Sequence, residues 1–395
     1  MNIFRHAALL ILALLLPAMA GAQALFLVLS AHESAVKLLD AERWQWQARI
    51  EPPQAPQGAP QFSPDGRHAF ITLQKSWIAK IDLHTQQVVA TARVGTALQG
   101  MALSRDGRWL LAGNAQPPTA VLLDEALQPV KTLALQTLDG RQSTGTAAVR
   151  DAPQRRSFVL ALQGVAALWE ISYDPQAAPI FDGLVHDYQM GEAIAKPGFH
   201  TPRRTPLAQP LGDFTVVDHA YLVGTPQPLA DGRTHASVIN LDVRRAIATL
   251  PIGGTPHPGG AAVFQQQGTP ALALPNRSEN SVSLIDTQSW RLLAQVPTPG
   301  PVRELVAQPG TQTLWAAPDA AGEGAFLAID PSRAAVIATI PGPPGPVAFS
   351  ADGRTLLIGA PDAVLAYDAE TRQLIQRLPV AQPVGIDRVP APPAR

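Results

Sequence analysis

The sequence predicts an all-β fold, an eight-bladed β-propeller built from four-stranded antiparallel blades. Three observations lead to this prediction. A short apolar run that ends in an aspartate recurs along the chain. A Ser-x-Asp-Gly-Arg hairpin signature precedes several of these runs. The 39 prolines and 30 glycines favour many turns over long helices, and the chain lacks the helical periodicity that a helical or doubly wound fold requires.

The repeated apolar runs set the number of blades. Seven of them end in an aspartate, namely Asp40, Asp82, Asp124, Asp242, Asp286, Asp330 and Asp368. The interval of 118 residues from Asp124 to Asp242 is long enough for one more unit, in which Asp174 is a weaker anchor. Eight units with a period near 42 residues and four short strands each are typical of a β-propeller.

The hairpin signature divides the units into strands. It occurs at residues 62–67, 103–108 and 349–354. Its Asp-Gly pair supplies the positive φ that a tight hairpin turn needs. In the second unit the four strands are therefore expected at about 59–62, 68–73, 77–81 and 87–94.

The two ends of the chain are predicted to share one blade. The first unit, residues 25–50, lacks an innermost strand, and residues 383–389 are left over at the other end. We expect this tail to complete the first blade, because closing the ring protects strand edges that an open sheet exposes. Residues 23–395 then form a single propeller domain.

The N-terminal residues have the pattern of a secretory signal peptide. Arg5 and His6 precede an apolar run at residues 7–16, and Ala-x-Ala cleavage options follow it, as in secreted proteins. The run is shorter than a comfortable membrane span. Residues 1–22 are therefore expected to be removed, with an uncleaved anchor as the alternative. The mature protein is expected in the periplasm without a membrane span.

Composition and motifs exclude several classes of function. A net charge of −1 gives no indication of a nucleic-acid partner. The chain has no cysteine, which excludes a thiolate metal site and a covalently attached c-type haem. Zinc-protease, Gly-x-Ser-x-Gly and phosphate-loop motifs are also missing from the sequence, so common hydrolase and nucleotide-binding sites are not indicated.

The regular spacing fails once, before the fifth unit. Residues at about 185–210 exceed what a blade needs and predict an inserted loop, and long loops of this kind often carry function. The loop holds His186, Tyr188, His200, Arg203 and Arg204. We regard His186, Tyr188 and the two arginines as candidate ligand-binding residues. The alternative is a solvated loop with local ion pairs.

A rigid turn at residues 251–260 follows the fifth unit. Its His257 stands between Pro256 and Pro258, which restrict the backbone on both sides. A neutral imidazole is a common ligand of metals and of haem iron, and paired arginines suit the carboxylates around a tetrapyrrole. The combination fits a porphyrin-like anion with a metal centre. The alternative is a tight connection with a surface histidine.

Five pieces of the chain resemble the d1-haem-binding propellers, which are the C-terminal domain of cytochrome cd1 nitrite reductase and the dihydro-haem d1 dehydrogenases. The pieces are HDYQMGEAIAKPGF at 186–199, PRRTPL at 202–207, PLGDF at 210–214, VINLDVRRAIATL at 238–250 and GTPHPGG at 254–260. The resemblance implies an eight-bladed propeller with haem d1 at the top of the channel. It also implies that His257 is the axial ligand of the haem iron and that Arg203 and Arg204 match the family's arginine pair.

The chain departs from this family at a second histidine. The biosynthetic members have a histidine in a strand of the A-A-H-V-E-F type, where Pro346 stands here, and the segment at 304–308 also lacks one. A proton donor or acceptor for catalysis is therefore missing. The c-type haem domain is missing too, as zero cysteine requires.

These features predict a haem d1-binding protein rather than an enzyme. Its role is expected in haem d1 maturation or delivery linked to nitrite reduction and denitrification, with nitrite reductase or a c-type cytochrome as possible partner. A cofactor-free propeller of the YVTN type that acts as a binding scaffold is one alternative. An oxidoreductase acting on a d1-type tetrapyrrole, similar to dihydro-haem d1 dehydrogenase, is the other.

Overall fold

The computed structural model describes residues 25–137, 140, 144–181, 195–226, 234–319 and 324–391. These residues form eight four-stranded antiparallel sheets and one two-stranded ribbon. The predicted eight-bladed propeller with four-stranded blades is thereby confirmed. In the described part of the chain, helical structure is limited to three short 3-10 turns, Gln74–Ser76, Pro153–Arg155 and Pro258–Gly260.

Blades are numbered along the chain, and the first half of the chain forms most of blades 1 to 4. Its strands are β1 (Leu25–Ser30), β2 (Ala35–Asp40), β3 (Gln45–Ile50), β4 (Pro56–Phe62), β5 (His68–Leu73), β6 (Trp77–Asp82), β7 (Gln87–Arg93), β8 (Ala97–Leu103), β9 (Trp109–Gln116), β10 (Thr119–Asp124), β11 (Pro129–Ala134), β12 (Thr146–Ala152), β13 (Ser157–Leu162), β14 (Ala167–Ser172), β15 (Ile180–Phe181), β16 (Ala195–Lys196) and β17 (Pro202–Pro206). Blade 2 is β4 to β7 and blade 3 is β8 to β11, while blade 4 consists of β12, β13, β14 and β17.

The second half forms blades 5 to 8, with four consecutive strands in each. Its strands are β18 (Leu211–Val216), β19 (Tyr221–Pro226), β20 (Ser237–Asn240), β21 (Arg245–Thr249), β22 (Ala262–Gln266), β23 (Thr269–Asn276), β24 (Ser281–Asp286), β25 (Leu292–Pro297), β26 (Val302–Ala307), β27 (Leu314–Pro318), β28 (Ala325–Asp330), β29 (Ala335–Pro341), β30 (Val347–Phe349), β31 (Thr355–Ala360), β32 (Ala363–Asp368), β33 (Leu374–Pro379) and β34 (Pro383–Arg388).

The last strand closes the ring. β34 pairs antiparallel with β1, with Leu27 opposite Asp387, and so becomes the inner strand of blade 1. The prediction that the tail completes the first blade is confirmed. The pairing continues past the strand, since the N–H of Val389 donates to the carbonyl of Leu25 at 2.9 Å.

The predicted turn chemistry explains the hairpins. The glycines of the three Asp-Gly pairs, Gly66, Gly107 and Gly353, have φ of 68°, 70° and 70°, a conformation that favours glycine. In the first of these turns, the carboxylate of Asp65 accepts the N–H of Arg67 at 3.0 Å. The strands predicted for blade 2 agree with β4 to β7 to within about three residues at each end.

The aspartate anchors cap the turn that follows the third strand of a blade. Asp40 Oδ1 accepts the N–H groups of Glu42 and Arg43 at 2.9 and 3.0 Å. These two backbone donors lie in the turn and have no partner strand, so the carboxylate satisfies them. In blade 5 the predicted anchor, Asp242, is wrong. The strand β20 ends two residues earlier, and there Asn240 Oδ1 accepts the N–H of Asp242 at 2.8 Å. An asparagine amide oxygen replaces the carboxylate in this turn.

The apolar core is a ring of eight clusters, one between each pair of neighbouring blades. Between blades 3 and 4 the cluster includes Phe158, Trp169 and Tyr173, all nearly inaccessible. Between blades 8 and 1 it joins Phe26 to Leu357. Each fully buried aliphatic side chain stabilises the fold by about 1.5–3 kcal/mol, and this stabilisation is distributed around the ring.

Strand direction decides which loops share an end of the propeller. Connections from one blade to the next, and from second to third strands, open at what we call the upper end. Connections from first to second and from third to fourth strands open at the lower end. The turn at residues 250–261 joins β21 to β22 and therefore lies at the upper end.

The predicted insertion lies at the opposite end. It connects β14 to β17, the third and fourth strands of blade 4, and therefore opens at the lower end. Its last part is regular structure, because residues 202–206 form β17 rather than a loop. Among the described residues, no helix combines the length and apolar character needed to cross a membrane.

Candidate functional site

The turn that carries His257 is clamped against blade 6. The N–H of His257 donates to the carbonyl of Pro275 at 2.8 Å. Asn276 is fully buried, and its side chain accepts the N–H of Thr255 at 3.0 Å and donates to the carbonyl of Gly253 at 2.5 Å. With a proline on each side, the histidine backbone has little freedom, so its imidazole is held in place.

The electrostatics favour a neutral imidazole. The His257 side chain is 23% exposed, and its Nδ1 lies 3.6 Å from Oδ2 of Asp213 on β18. Burial lowers the pKa of His257, and the positive charges of Arg277 and Arg150 lower it further, while Asp213 and Asp319 act in the opposite direction. The neutral form is the one that binds a metal or haem iron.

Three arginines from different blades lie around this turn. Arg150 on β12 pairs with Asp213 at 3.0 Å, and Arg277 after β23 pairs with Asp319 at 2.8 Å. Arg303 on β26 pairs with its neighbour Glu304 at 2.6 Å. The three side chains remain 31–40% exposed. A guanidinium has five N–H donors, so each is suited to bind an anion while it holds its carboxylate.

Arg303 links the turn to the central channel. The backbone of Gly260, in the turn after His257, lies so close to Arg303 that an added Cβ would be 2.0 Å from the Arg303 carbonyl oxygen. The guanidinium of Arg303 also donates to the carbonyl of Gly345 at 2.7 Å. The histidine turn is thus packed directly on the inner wall of blade 7.

The channel contains a cavity of about 580 Å³ between the inner strands of blades 1, 2, 7 and 8, and its lining includes Glu304, Pro346 and Asp387. Burial and, after it, the negative charge of Glu304 raise the pKa of Asp387 to about 7. Asp387 is therefore a carboxyl group that exchanges its proton near neutral pH. Pro346 lines the same cavity, at the position where the resemblance led us to look for a histidine.

The structure does not bring Arg203 and Arg204 to His257. Both lie on β17, the outermost strand of blade 4. Arg203 donates to Oε2 of the buried Glu170 at 2.6 Å, and Glu170 also pairs with Arg155 at 2.8 Å. Arg155 in turn reaches Asp242 of the next blade at 2.6 Å. This network joins blades 4 and 5.

Arg204 has a similar structural setting. Its guanidinium lies over the ring of Trp169, with 4.9 Å to the centroid, and Trp169 is directly opposite it in the β14–β17 pairing. A cation over an indole face is a favourable packing contact. The arginine pair therefore belongs to the outer edge of blade 4, because β14 separates it from the inner strands.

The other candidates of the insertion divide into two groups. His200 is buried, with its ring stacked on Phe199 at 3.6 Å and edge-on to Trp109 at 4.4 Å. Burial lowers its pKa to about 4, so it is a packing residue between blades 3 and 4 at the lower end. His186 and Tyr188 lie outside the described residues.

Several residues near the channel were not predicted. Their shared feature is a charge within the first strand of a blade, where the remaining residues are mostly apolar. They are Arg150 in TAAVRDA, Asp213 in LGDFTV, Arg303 and Glu304 in VRELVA, and Asp387 in PVGIDR. Because first strands line the channel of a propeller, a charge at such a position is a sequence signal for a channel site.

Fold and site together define an eight-bladed propeller with a neutral histidine and partly exposed arginines at the upper mouth of its channel. A family model, the Cytochrome D1 heme domain, matches residues 20–189 and 196–389. The chain belongs to this family, as the resemblance in the sequence indicated.

Three matches to known proteins agree with that assignment. The dihydro-heme d1 dehydrogenase of Pseudomonas aeruginosa is 32% identical over 371 residues, which are 91% of this chain and 70% of that protein. Protein NirF of Stutzerimonas stutzeri is 25% identical over 342 residues, with 82% of this chain and 81% of NirF covered. A solved structure of the dehydrogenase NirN in complex with DHE matches with a TM-score of 0.81 and 31% identity, covering 95% of this chain and 78% of NirN.

Proposed function

We propose that this protein binds a d1-type haem at the upper mouth of its channel, with His257 as the axial ligand of the iron. The observation that carries the proposal is a neutral, partly buried imidazole on a clamped turn, with Arg150 and Arg277 beside it and Arg303 on the inner strand against which the turn packs. Membership of the Cytochrome D1 heme domain family supports it.

The residues fit such a ligand. Haem iron takes a neutral imidazole nitrogen, and burial keeps His257 in this form. The carboxylates of a tetrapyrrole need cationic partners, and guanidinium groups bind them in a bidentate manner. In this proposal Arg150, Arg277 and Arg303 have the role that the sequence analysis gave to Arg203 and Arg204.

The bound group would supply a redox-active metal centre and a conjugated ring. The chain itself does three things. The hydrogen bond from the His257 N–H to Pro275 would hold the imidazole in place at the upper end of the channel. Arg150, Arg277 and Arg303 would offset the negative charge of the carboxylates. The clamped turn and the partial burial of His257 would limit the access of water to the imidazole.

The cellular role we propose is haem d1 maturation or delivery in the periplasm. The signal-like residues 1–22 support export, and a relative named dihydro-heme d1 dehydrogenase supports the link to this cofactor. A nitrite reductase or a c-type cytochrome is the proposed partner.

A dehydrogenase activity is the second candidate, and one observation favours it. The channel carboxyl of Asp387, with a pKa of about 7, is a candidate proton acceptor in place of the missing histidine. A relative from Pseudomonas aeruginosa, of which the match covers 70%, is named a dihydro-heme d1 dehydrogenase. Removal of two hydrogens from a dihydro precursor also needs an external electron acceptor, which the assay must supply.

The test is a titration of the purified protein with haem d1, followed by its visible spectrum. We expect wild type to bind and to shift the absorption bands, and His257→Ala to lose the bands of the axial ligand. His84→Ala, an exposed histidine on a lower turn, is the matched control. Unchanged spectra on mixing, without co-elution, would leave the scaffold alternative. Conversion of dihydro-haem d1 in the presence of an electron acceptor would establish the enzyme.

A further inference from the structure

We propose that Asp213 is a positioning residue for His257. Its Oδ2 lies 3.6 Å from Nδ1, just beyond hydrogen-bond distance, and a small closing movement makes it the acceptor of the Nδ1 proton, which leaves Nε2 as the nitrogen with the free lone pair. The inference rests on the proposed function, because it concerns the same histidine. It goes further by naming the group that determines which ring nitrogen of His257 carries the proton. The same group thereby determines which nitrogen is left to bind the metal and how strong a donor it is.

A β-bulge in β18 orients the carboxylate of Asp213. Asp213 lies in β18, the inner strand of blade 5, where the register with β19 shifts between Leu211 and Asp213. The extra residue is Gly212, and a β-bulge of this kind redirects the side chain that follows it. Asp213 is thereby turned to the side of the strand on which Arg150 and His257 lie.

One carboxylate oxygen is fully engaged and the other is not. Oδ1 accepts the guanidinium of Arg150 at 3.0 Å and the N–H of Phe214 at 2.8 Å. Oδ2 is the oxygen that faces His257, with 3.6 Å to Nδ1. Because a guanidinium can only donate, Arg150 occupies Oδ1 as a donor and leaves Oδ2 available as an acceptor.

The turn is shaped around the same oxygen. A Cβ added to Gly259 would lie 2.0 Å from Oδ2 of Asp213. Glycine at this position lets the turn approach the carboxylate, while the N–H of Gly260 donates to the carbonyl of His257 at 3.2 Å. The histidine turn and the carboxylate are thus fitted to each other.

This geometry has a chemical consequence. A ligand histidine that donates its other ring N–H to a carboxylate is fixed in orientation, and its metal-binding nitrogen becomes a stronger donor. Asp319 is a second acid near the imidazole, but its carboxylate is paired with Arg277 at 2.8 Å. Asp213 is therefore the group that decides the tautomer, and Asp319 provides a control of equal charge.

The first experiment reads the tautomer in the protein without haem. Histidine is labelled with ¹⁵N, and the ring nitrogens of His257 are assigned by comparison with His257→Ala at neutral pH. We expect the proton on Nδ1 in wild type and in Asp319→Asn, and a mixture of tautomers in Asp213→Asn. A wild-type proton on Nε2, or an unchanged tautomer in Asp213→Asn, would overturn the inference.

Gly259→Ala is an independent variant that keeps the charge of Asp213 but displaces its carboxylate. We expect the same change of tautomer as in Asp213→Asn. If Asp213→Asn does not fold, as judged by circular dichroism, Gly259→Ala decides the question, and a wild-type tautomer in that variant counts against the inference.

The second experiment uses haem d1 as the probe. Asp213→Asn is expected to raise the Kd roughly 10- to 100-fold and to move the midpoint potential of the bound haem to a more positive value, whereas Asp319→Asn changes both less. Failure of wild type to bind haem d1 refutes the proposed function, while the tautomer still tests Asp213. Binding that depends on His257 but is the same in Asp213→Asn refutes the positioning role alone.

Discussion

Asp387 on β34 and Glu304 on β26 carry like charges in one channel cavity, although their strands belong to blades 1 and 7. Burial and the charge of Glu304 raise the pKa of Asp387 to about 7. The unfolded chain releases this proton near pH 4. Between these values the native state binds the extra proton, so the stability that the group contributes is present at low pH and is lost as the pH rises through about 7.

Asp387→Asn is therefore expected to stabilise the protein relative to wild type more at pH 8 than at pH 5. Thermal unfolding midpoints at the two pH values measure this. Asp362→Asn, which changes an exposed carboxylate paired with Arg377, is expected to show no such pH-dependent gain. An equal difference from wild type at both pH values would show that Asp387 is ionised throughout.

Gly260→Ala is expected to destabilise the fold by about 1–3 kcal/mol, the usual cost of overpacking. Its Cβ would lie 2.0 Å from the carbonyl oxygen of Arg303, and backbone cannot move as freely as a side chain. Gly300→Ala is the control, since its Cβ meets no atom within 4 Å in a blade-to-blade connection at the same end. Chemical denaturation of both variants provides the comparison, and equal stability would contradict the close approach.

Substitutions of Arg203 and Arg303 distinguish the site predicted from the sequence from the candidate site around His257. Arg203→Ala removes a charged hydrogen bond to the buried Glu170, and we expect a loss of about 1.5–3 kcal/mol of stability with unchanged affinity for haem d1. Arg303→Ala is expected to weaken haem d1 binding. Denaturation and haem titration of both variants test this. Weaker binding by Arg203→Ala alone would restore the sequence-based assignment.

His200 is expected to make the fold sensitive to acid. Burial lowers its pKa to about 4, so the unfolded chain takes up this proton first, and stability falls as the pH drops from about 6.5 towards 4. His200→Phe keeps a ring between Phe199 and Trp109 and is expected to reduce this loss. His84→Phe, at an exposed position, is expected to leave the pH profile unchanged. Thermal unfolding between pH 7 and 4.5 measures both.

The architecture was predictable because each repeat is marked by residues that form turns between its strands. Asp-Gly pairs and strand-ending aspartates satisfy backbone groups locally, and such patterns are visible in the sequence. The anchor of blade 5 was misassigned because Asn240 performs the same capping as an aspartate. A search for aspartate alone cannot find this anchor, whereas the end of the apolar run of β20 indicates it.

The site was predictable only in part. His257 was singled out by its prolines, which act locally. Arg203 and Arg204 were grouped with it because the two segments are neighbours in the chain. The end of the propeller at which a loop opens depends on whether it follows a third or a fourth strand, and the strand β17 was not recognised within the insertion. Its arginines therefore belong to the edge of blade 4.

The strand that seals the ring also brings Asp387 to the channel, and it follows the other described strands of the domain in the sequence. While β34 is missing, blade 1 has three strands, and the cavity has no wall on that side. Any ligand that needs this wall is bound only after synthesis of the domain has ended. A chain truncated before residue 383 would carry His257 and all three arginines and still have an incomplete channel.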